Sequence, residues 1–179
     1  MIAVVRHVFA ILVLPGTVLI LIPVWIARTR TIAVTMPGSS LGWVVWLGGF
    51  LLLLAGGVLF IGSLRRFGSE GRGTLAPWDP PRALVVQGPY SYVRNPMISG
   101  VILLLLAEAA FLRSAPHLGW AGLFSLINAL YIPLLEEPML HVRFGGGYGV
   151  YCKHVPRLIP RLRPWSGSEE ADGSNVPTA

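Results

Sequence analysis

The 179-residue chain is 54% hydrophobic and only 12% charged, with a mean hydropathy of +0.66, whereas a soluble domain carries about 25% charged residues. Lipid must solvate much of such a surface, which excludes an ordinary soluble enzyme. The net charge of +6 flanks apolar runs and forms no continuous patch interleaved with exposed aromatics, so the expected counter-charge is anionic phospholipid and not nucleic acid.

Four apolar segments follow one another: Val8 to Ile26, Leu41 to Leu64, Met97 to Leu112 and Leu118 to Leu135. About 20 helical residues cross the hydrocarbon layer, so the first two are long enough alone. The first has the basic start (Arg6) of a signal peptide, but its apolar part is long and no small-x-small site precedes Arg28, which reads as a retained helix. The third is short and the turn Arg113 to His117 is tight. The last two are therefore expected as a helical hairpin, crossing together or re-entrant. The fold class is all-α: a polytopic membrane protein of about four transmembrane helices, one domain over 1–165 with a disordered polar tail at 166–179.

Positive loops stay cytoplasmic. Arg6, Arg65, Arg66, Arg72, Arg82, Arg94, Arg143, Lys153, Arg157, Arg161 and Arg163 fall on one side of a four-span arrangement, 11 in all, against Arg28, Arg30 and Arg113, which make 3. Both termini are thus expected in the cytoplasm, in a bacterial-type inner membrane. Between the second and third segments lies a loop rich in Gly, Pro and Arg, Arg65 to Asn95, whose freed backbone groups suit a polar cavity.

Two blocks at that face carry the candidate chemistry. In Leu84 to Gly100, Gly88-Pro89 makes a turn, Tyr90 and Tyr92 offer rings and hydroxyls, and Asn95-Pro96 starts the next helix with a cap. A turn, an interfacial aromatic belt and a helix cap would account for all of this without a ligand. In Glu136 to Pro160, two adjacent carboxylates at a membrane boundary need water, cations or a ligand rich in donors; Arg143 or Arg157 would serve as the cations. Phe144, Tyr148 and Tyr151 would share one helix face, although Gly145 to Gly147 weaken a regular helix there. Cys152 is the single cysteine, so neither an internal disulfide nor a metal site is expected. Glu108 inside the third segment is a functional candidate or a partner of Arg113, Asn128 a link between helices, and His141 and His154 read as solvated.

Together the two blocks resemble the isoprenylcysteine carboxyl methyltransferase and phospholipid methyltransferase family. Leu84, Val85, Gly88, Tyr90, Arg94 and Pro96 match its first motif, and Glu136, Glu137, Phe144, Gly145, Tyr148, Tyr151, Val155 and Pro156 its second. The likeness covers about Arg82 to Pro160. It implies S-adenosylmethionine as cofactor, held by Arg82, Ala83, Leu84, Val85, Tyr90, Asn95, Pro96, Met97, Ile98, Glu136 and Glu137. It implies catalytic roles for Glu136, Glu137, Tyr148, Tyr151 and Arg157. The implied acceptor is lipid-like or isoprenoid-bearing, methylated on a carboxylate or, alternatively, on a lipid amine; no metal and no obligate protein partner are implied. Two departures stand out: Asn95 replaces the family's histidine, and Tyr131, Ile132 and Pro133 stand where an acceptor-guiding arginine is found in eukaryotic relatives. A non-enzymatic membrane transport or assembly protein is the reading from another class.

Overall fold

The computed structural model describes residues 15–70 and 84–166, the side chains of 67–70 excepted. Arg6, the start of the first apolar segment, Arg72, Arg82, Ala83 and the tail 167–179 lie outside the described residues. All described elements are helical: α1 (Thr17–Thr29), α2 (Ser40–Glu70), α3 (Pro96–Leu112), α4 (Ala115–Tyr131) and α5 (Glu137–His154), with a 3-10 turn at Gly88–Ser91 before α3.

Proline shapes two of these helices. A proline has no N–H to offer and crowds the carbonyl four residues back. Ahead of Pro23, α1 opens with a π turn, Thr17–Leu21, in which the Ile22 N–H reaches five residues back to the Thr17 carbonyl. Around Pro133 the same device, Ile132–Glu136, joins α4 to α5, with the Glu137 N–H on the Ile132 carbonyl. The expected end of the fourth segment at Leu135 is therefore not a helix end; the helix loosens by one residue and continues.

Along α2, Leu41, Val44, Leu47, Leu51, Leu54, Val58 and Ile61 are each more than half exposed. Their spacing of three and four puts them on one face, and an exposed apolar stripe of that length belongs in lipid. The other face of α2 meets α3 through glycines. A Cβ on Gly56 would lie 2.9 Å from the Gly100 carbonyl oxygen, one on Gly100 equally close to the Gly56 oxygen, and one on Gly49 3.1 Å from Ala110 Cβ. Backbone thus packs on backbone, the small-residue contact typical of helices in membranes. Val101, Leu105 and Ala121 form the buried centre between α3 and α4, with Val18, Leu19, Phe60 and Phe124 around it.

The expected hairpin forms: α3 ends at Arg113, in the left-handed region with φ 47°, and Ser114 caps α4 by accepting from the His117 N–H at 3.4 Å. His117 is buried, its Nδ1 2.7 Å from Ser114 Oγ and its Nε2 3.2 Å from the Pro23 carbonyl. A carbonyl only accepts, so Nε2 carries the proton and the serine hydroxyl donates to Nδ1. This clip ties α4 to α1.

Two expectations are corrected. Arg113 does not pair with Glu108, because its left-handed turn carries the guanidinium to the Thr35 carbonyl (3.2 Å) and hydroxyl; Glu108 keeps a buried Oε2 with no hydrogen-bond partner. Asn128 donates to the Phe124 carbonyl of its own helix at 2.8 Å instead of linking two helices.

Among the described residues, two helices are long and apolar enough to cross a membrane, Ser40–Arg66 within α2 and the run Ala115–His154, which bends at Gly145; Thr17–Thr29 and Pro96–Leu112 are shorter apolar helices. The chain is a membrane protein. The 40 residues of that run exceed the roughly 20 that cross a hydrocarbon layer, and its second half, α5, is polar and bent at Gly145.

Candidate functional site

The site lies where α2 ends and α3 begins, and it is assembled from segments far apart in sequence. Gly88 supplies the sharp turn before α3 with φ +61°. A Cβ there would sit 3.1 Å from Arg66 Nε, and one on Gly62 2.9 Å from Pro89, so this loop rests on the last turns of α2. After α5 the chain doubles back over the same loop as a strap, Val155 to Trp165. Its backbone is held by Arg94 N–H to the Pro156 carbonyl (2.8 Å), Asn95 N–H to Arg157 (3.2 Å), Arg161 N–H to Tyr92 (3.0 Å) and Trp165 N–H to Ser91 (3.0 Å). Ser99 adds its hydroxyl to the Leu158 carbonyl at 2.7 Å.

Under the strap sits an ion network. Arg157 grips Glu137 with two parallel bonds, Nε to Oε1 at 2.7 Å and Nη2 to Oε2 at 2.8 Å. Arg94 Nη1 donates to the same Oε1 at 2.8 Å and to Cys152 Sγ at 2.7 Å. The Arg94 and Glu137 side chains are only 10% and 12% exposed, Arg157 37%. The hydrogen bond to Glu137 raises the pKa of Arg157 still further, so its guanidinium stays charged. One buried donor, Arg94 Nε–H, has no partner among the described residues.

Glu136, one residue earlier and partly buried, accepts no hydrogen bond from any described residue. Burial, and behind it the Glu136 carboxylate, push the Tyr90 hydroxyl well above its ordinary range. Tyr90 is therefore a neutral donor at every working pH. Its backbone carbonyl is held by the Tyr151 hydroxyl at 2.6 Å.

The aromatic residues expected on one face do converge, though by another route. Gly145, at φ 56° and ψ −136°, breaks the helix, and the chain beyond it turns Tyr148 and Tyr151 inward. With Val155 they form a buried cluster against Leu84, Val86, Leu140, Phe144, Cys152 and Trp165. His141 stays exposed, as expected, while meeting the Tyr148 ring edge-on at 4.8 Å; His154 is half-buried and stacks flat on Trp165 at 5.5 Å, so it is not merely solvated. Arg143 lies over the Phe144 ring and not on the glutamates.

Of the expected cofactor residues, Leu84, Val85, Tyr90, Asn95, Pro96, Met97 and Ile98 lie on the loop and first turn of α3, with Glu136 and Glu137 on the α4–α5 junction that the strap joins to it. Arg82 and Ala83 fall outside the described residues. Asn95 is corrected: it stands at the N-cap but makes no capping bond, its Nδ2 lying 3.4 Å from the Arg157 carbonyl because the strap passes beside it. Sequence reasoning matched Arg94 to a motif without giving it a role and left out Cys152 and Trp165. An arginine directly before an Asn-Pro helix start was the available signal; the strap, held by main-chain bonds, left none.

A family model described as "Phospholipid methyltransferase" matches residues 43–146, more than half of the chain. Methanethiol S-methyltransferase of Pseudomonas deceptionensis is 30% identical over 173 residues, covering 88% of this chain and 61% of the relative. Methanethiol S-methyltransferase 2 of Bradyrhizobium diazoefficiens is 40% identical over 76 residues, 41% of this chain and 27% of the relative. The chain thus spans less than two thirds of the length of either curated relative. No solved structure matches it. With the match running from Trp43 on α2 through the Glu136–Glu137 pair, the chain belongs to the phospholipid methyltransferase family.

Proposed function

We propose that the chain is an S-adenosylmethionine-dependent methyltransferase with four spans and both termini in the cytoplasm, and that its acceptor is a small thiol. S-adenosylmethionine, when bound, supplies a methyl group on a positively charged sulfur, so the acceptor needs only a lone pair and in-line approach. The carboxylate of Glu136, which accepts no hydrogen bond from the described residues, suits a ligand carrying hydroxyl and amino donors, and the neutral Tyr90 hydroxyl offers it one more contact. Leu84, Val85, Pro96, Met97 and Ile98 would form the apolar wall, with Arg82 and Ala83 added by family likeness.

The observation that carries the acceptor is Arg94. Its buried guanidinium already donates to one sulfur, Cys152, and its Nε–H has no acceptor among the described residues. A thiolate would satisfy that donor, and the positive charge would favour the thiolate over the thiol. The relatives named methanethiol S-methyltransferases point the same way. Glu137 and Arg157 hold Arg94 in place. The thiol proton leaves to water, and no general base is needed.

A lipid-like acceptor, methylated on carboxylate or amine, is the second reading, favoured by the family's description and by the lipid-facing stripe of α2. Protein in lipid nanodiscs, given methyl-labelled cofactor with methanethiol and phosphatidylethanolamine together, separates them. Labelled dimethyl sulfide is the expected product. Label confined to lipid overturns the thiol reading. Absence of saturable cofactor binding, with Glu136→Gln changing nothing, overturns both.

A further inference from the structure

The strap carries an exposed surface that the methyl-transfer site does not use. Ile159 is 80% and Leu162 98% exposed, although both sit in a segment whose backbone is bonded at Ser91, Tyr92, Arg94, Asn95 and Ser99. Lys153 and Arg163 are also exposed and meet no acceptor among the described residues. Proline at 156, 160 and 164 removes N–H groups at intervals and keeps this stretch from coiling into a helix.

Its depth can be read from α2. Gly100 touches Gly56, and Pro89 touches Gly62, so the loop beneath the strap is level with α2 residues that precede the polar end of the span at Arg65 and Arg66. Gly62 lies four residues before Arg66, about 6 Å along the helix axis toward the membrane centre. A segment bonded across Ser91 to Ser99 therefore lies at headgroup depth, not out in water. At that depth two bare aliphatic side chains meet acyl chains, and two cations with no acceptor among the described residues meet lipid phosphates.

We infer that the strap Val155 to Trp165 is an interfacial membrane anchor that seats Ile159 and Leu162 in the acyl boundary and, together with Lys153 on the adjoining last turn of α5, binds anionic phospholipid headgroups through Arg163 and that lysine. The charge of this surface complements an anionic leaflet. The site's lid is thereby fastened to the bilayer as well as to the loop.

Photocrosslinking of the full chain tests this. Leu162→p-benzoylphenylalanine, and in a second variant Ile159→p-benzoylphenylalanine, would be reconstituted in vesicles of equimolar phosphatidylglycerol and phosphatidylcholine, irradiated, and the adducts identified by mass. Both positions are exposed, so the probe displaces no packing. The expected product is a phospholipid adduct enriched in phosphatidylglycerol. At about 1 kcal/mol per interfacial cation, Lys153→Gln and Arg163→Gln should each lower that enrichment about fivefold. An adduct joining two copies, an adduct to residues 167–179, or no lipid adduct from either position overturns the proposal. Lipid adducts without headgroup preference overturn its anionic part.

Discussion

Glu137 is the anion on which two guanidiniums depend. With Arg94 and Glu137 nearly buried, removing the charge strands Arg94 in a place water scarcely reaches, and breaking such a pair costs about 3 kcal/mol. Glu137→Gln should therefore lower the melting temperature in detergent and reduce methyl transfer at least tenfold, both measurable on one preparation. Arg94→Lys keeps the charge but loses the fork and the Nε–H; it should raise KM for the acceptor more than for the cofactor. Tyr151→Phe removes one bond to the Tyr90 carbonyl, worth about 1 kcal/mol, and should weaken cofactor binding several-fold by isothermal titration. At this scale the glutamate pair was legible in the sequence because two carboxylates at a membrane edge demand partners, and Arg157 was named among the partners. Which glutamate it chose was not legible, since the π turn at Pro133 sets the rotation of one relative to the other.

Among the elements, the α2–α3 contact and the bend of α5 are each set by glycine, for different reasons. Gly100 is pressed against backbone, with a Cβ 2.9 Å from both the Gly56 oxygen and the Phe60 nitrogen, and neither atom can yield without moving a helix. Gly100→Leu should cost about 2 kcal/mol or more and be read as lost yield of folded protein on size exclusion. Gly145 has nothing within 4 Å of where a Cβ would stand; its need is conformational, since φ 56° with ψ −136° is open essentially to glycine alone. Gly145→Ala should cost about 1–3 kcal/mol and reduce activity, while Gly146→Ala next to it should be nearly silent. Apolar runs gave away the helices, and the length of the Arg113 turn gave away the hairpin. The bend was half legible: three consecutive glycines argued against a regular helix but not for the direction the chain takes. The π turns at Thr17–Leu21 and Ile132–Glu136 escaped notice because a proline marks the place of a disturbance, not its form.

The whole molecule is a lipid-facing bundle with its polar machinery at one end. If the 11 to 3 distribution of cations governs insertion, Gln87, exposed in the loop before α3, lies on the cytoplasmic side and Gly38, before α2, on the other. Gln87→Cys and Gly38→Cys, each with Cys152→Ser, should label oppositely with a membrane-impermeant maleimide added to intact cells or to inverted vesicles. Equal labelling of both from one side would refute the four-span arrangement. Composition alone made the membrane legible, and the paired motifs made the family so; what joins the motifs in space is the strap, whose main-chain bonds no side-chain pattern announces.

That strap also imposes an order in time. The helices are synthesised first and can enter the bilayer as they emerge, but the carbonyls and amides from Ser91 to Asn95 wait for Pro156 to Trp165, the last described stretch to leave the ribosome. Until then Arg94 has no Arg157 beside it to share Glu137. A chain interrupted after Val150 would leave the Ser91–Asn95 loop and Arg94 without their strap, so the site is assembled only once residues 156–165 have been made.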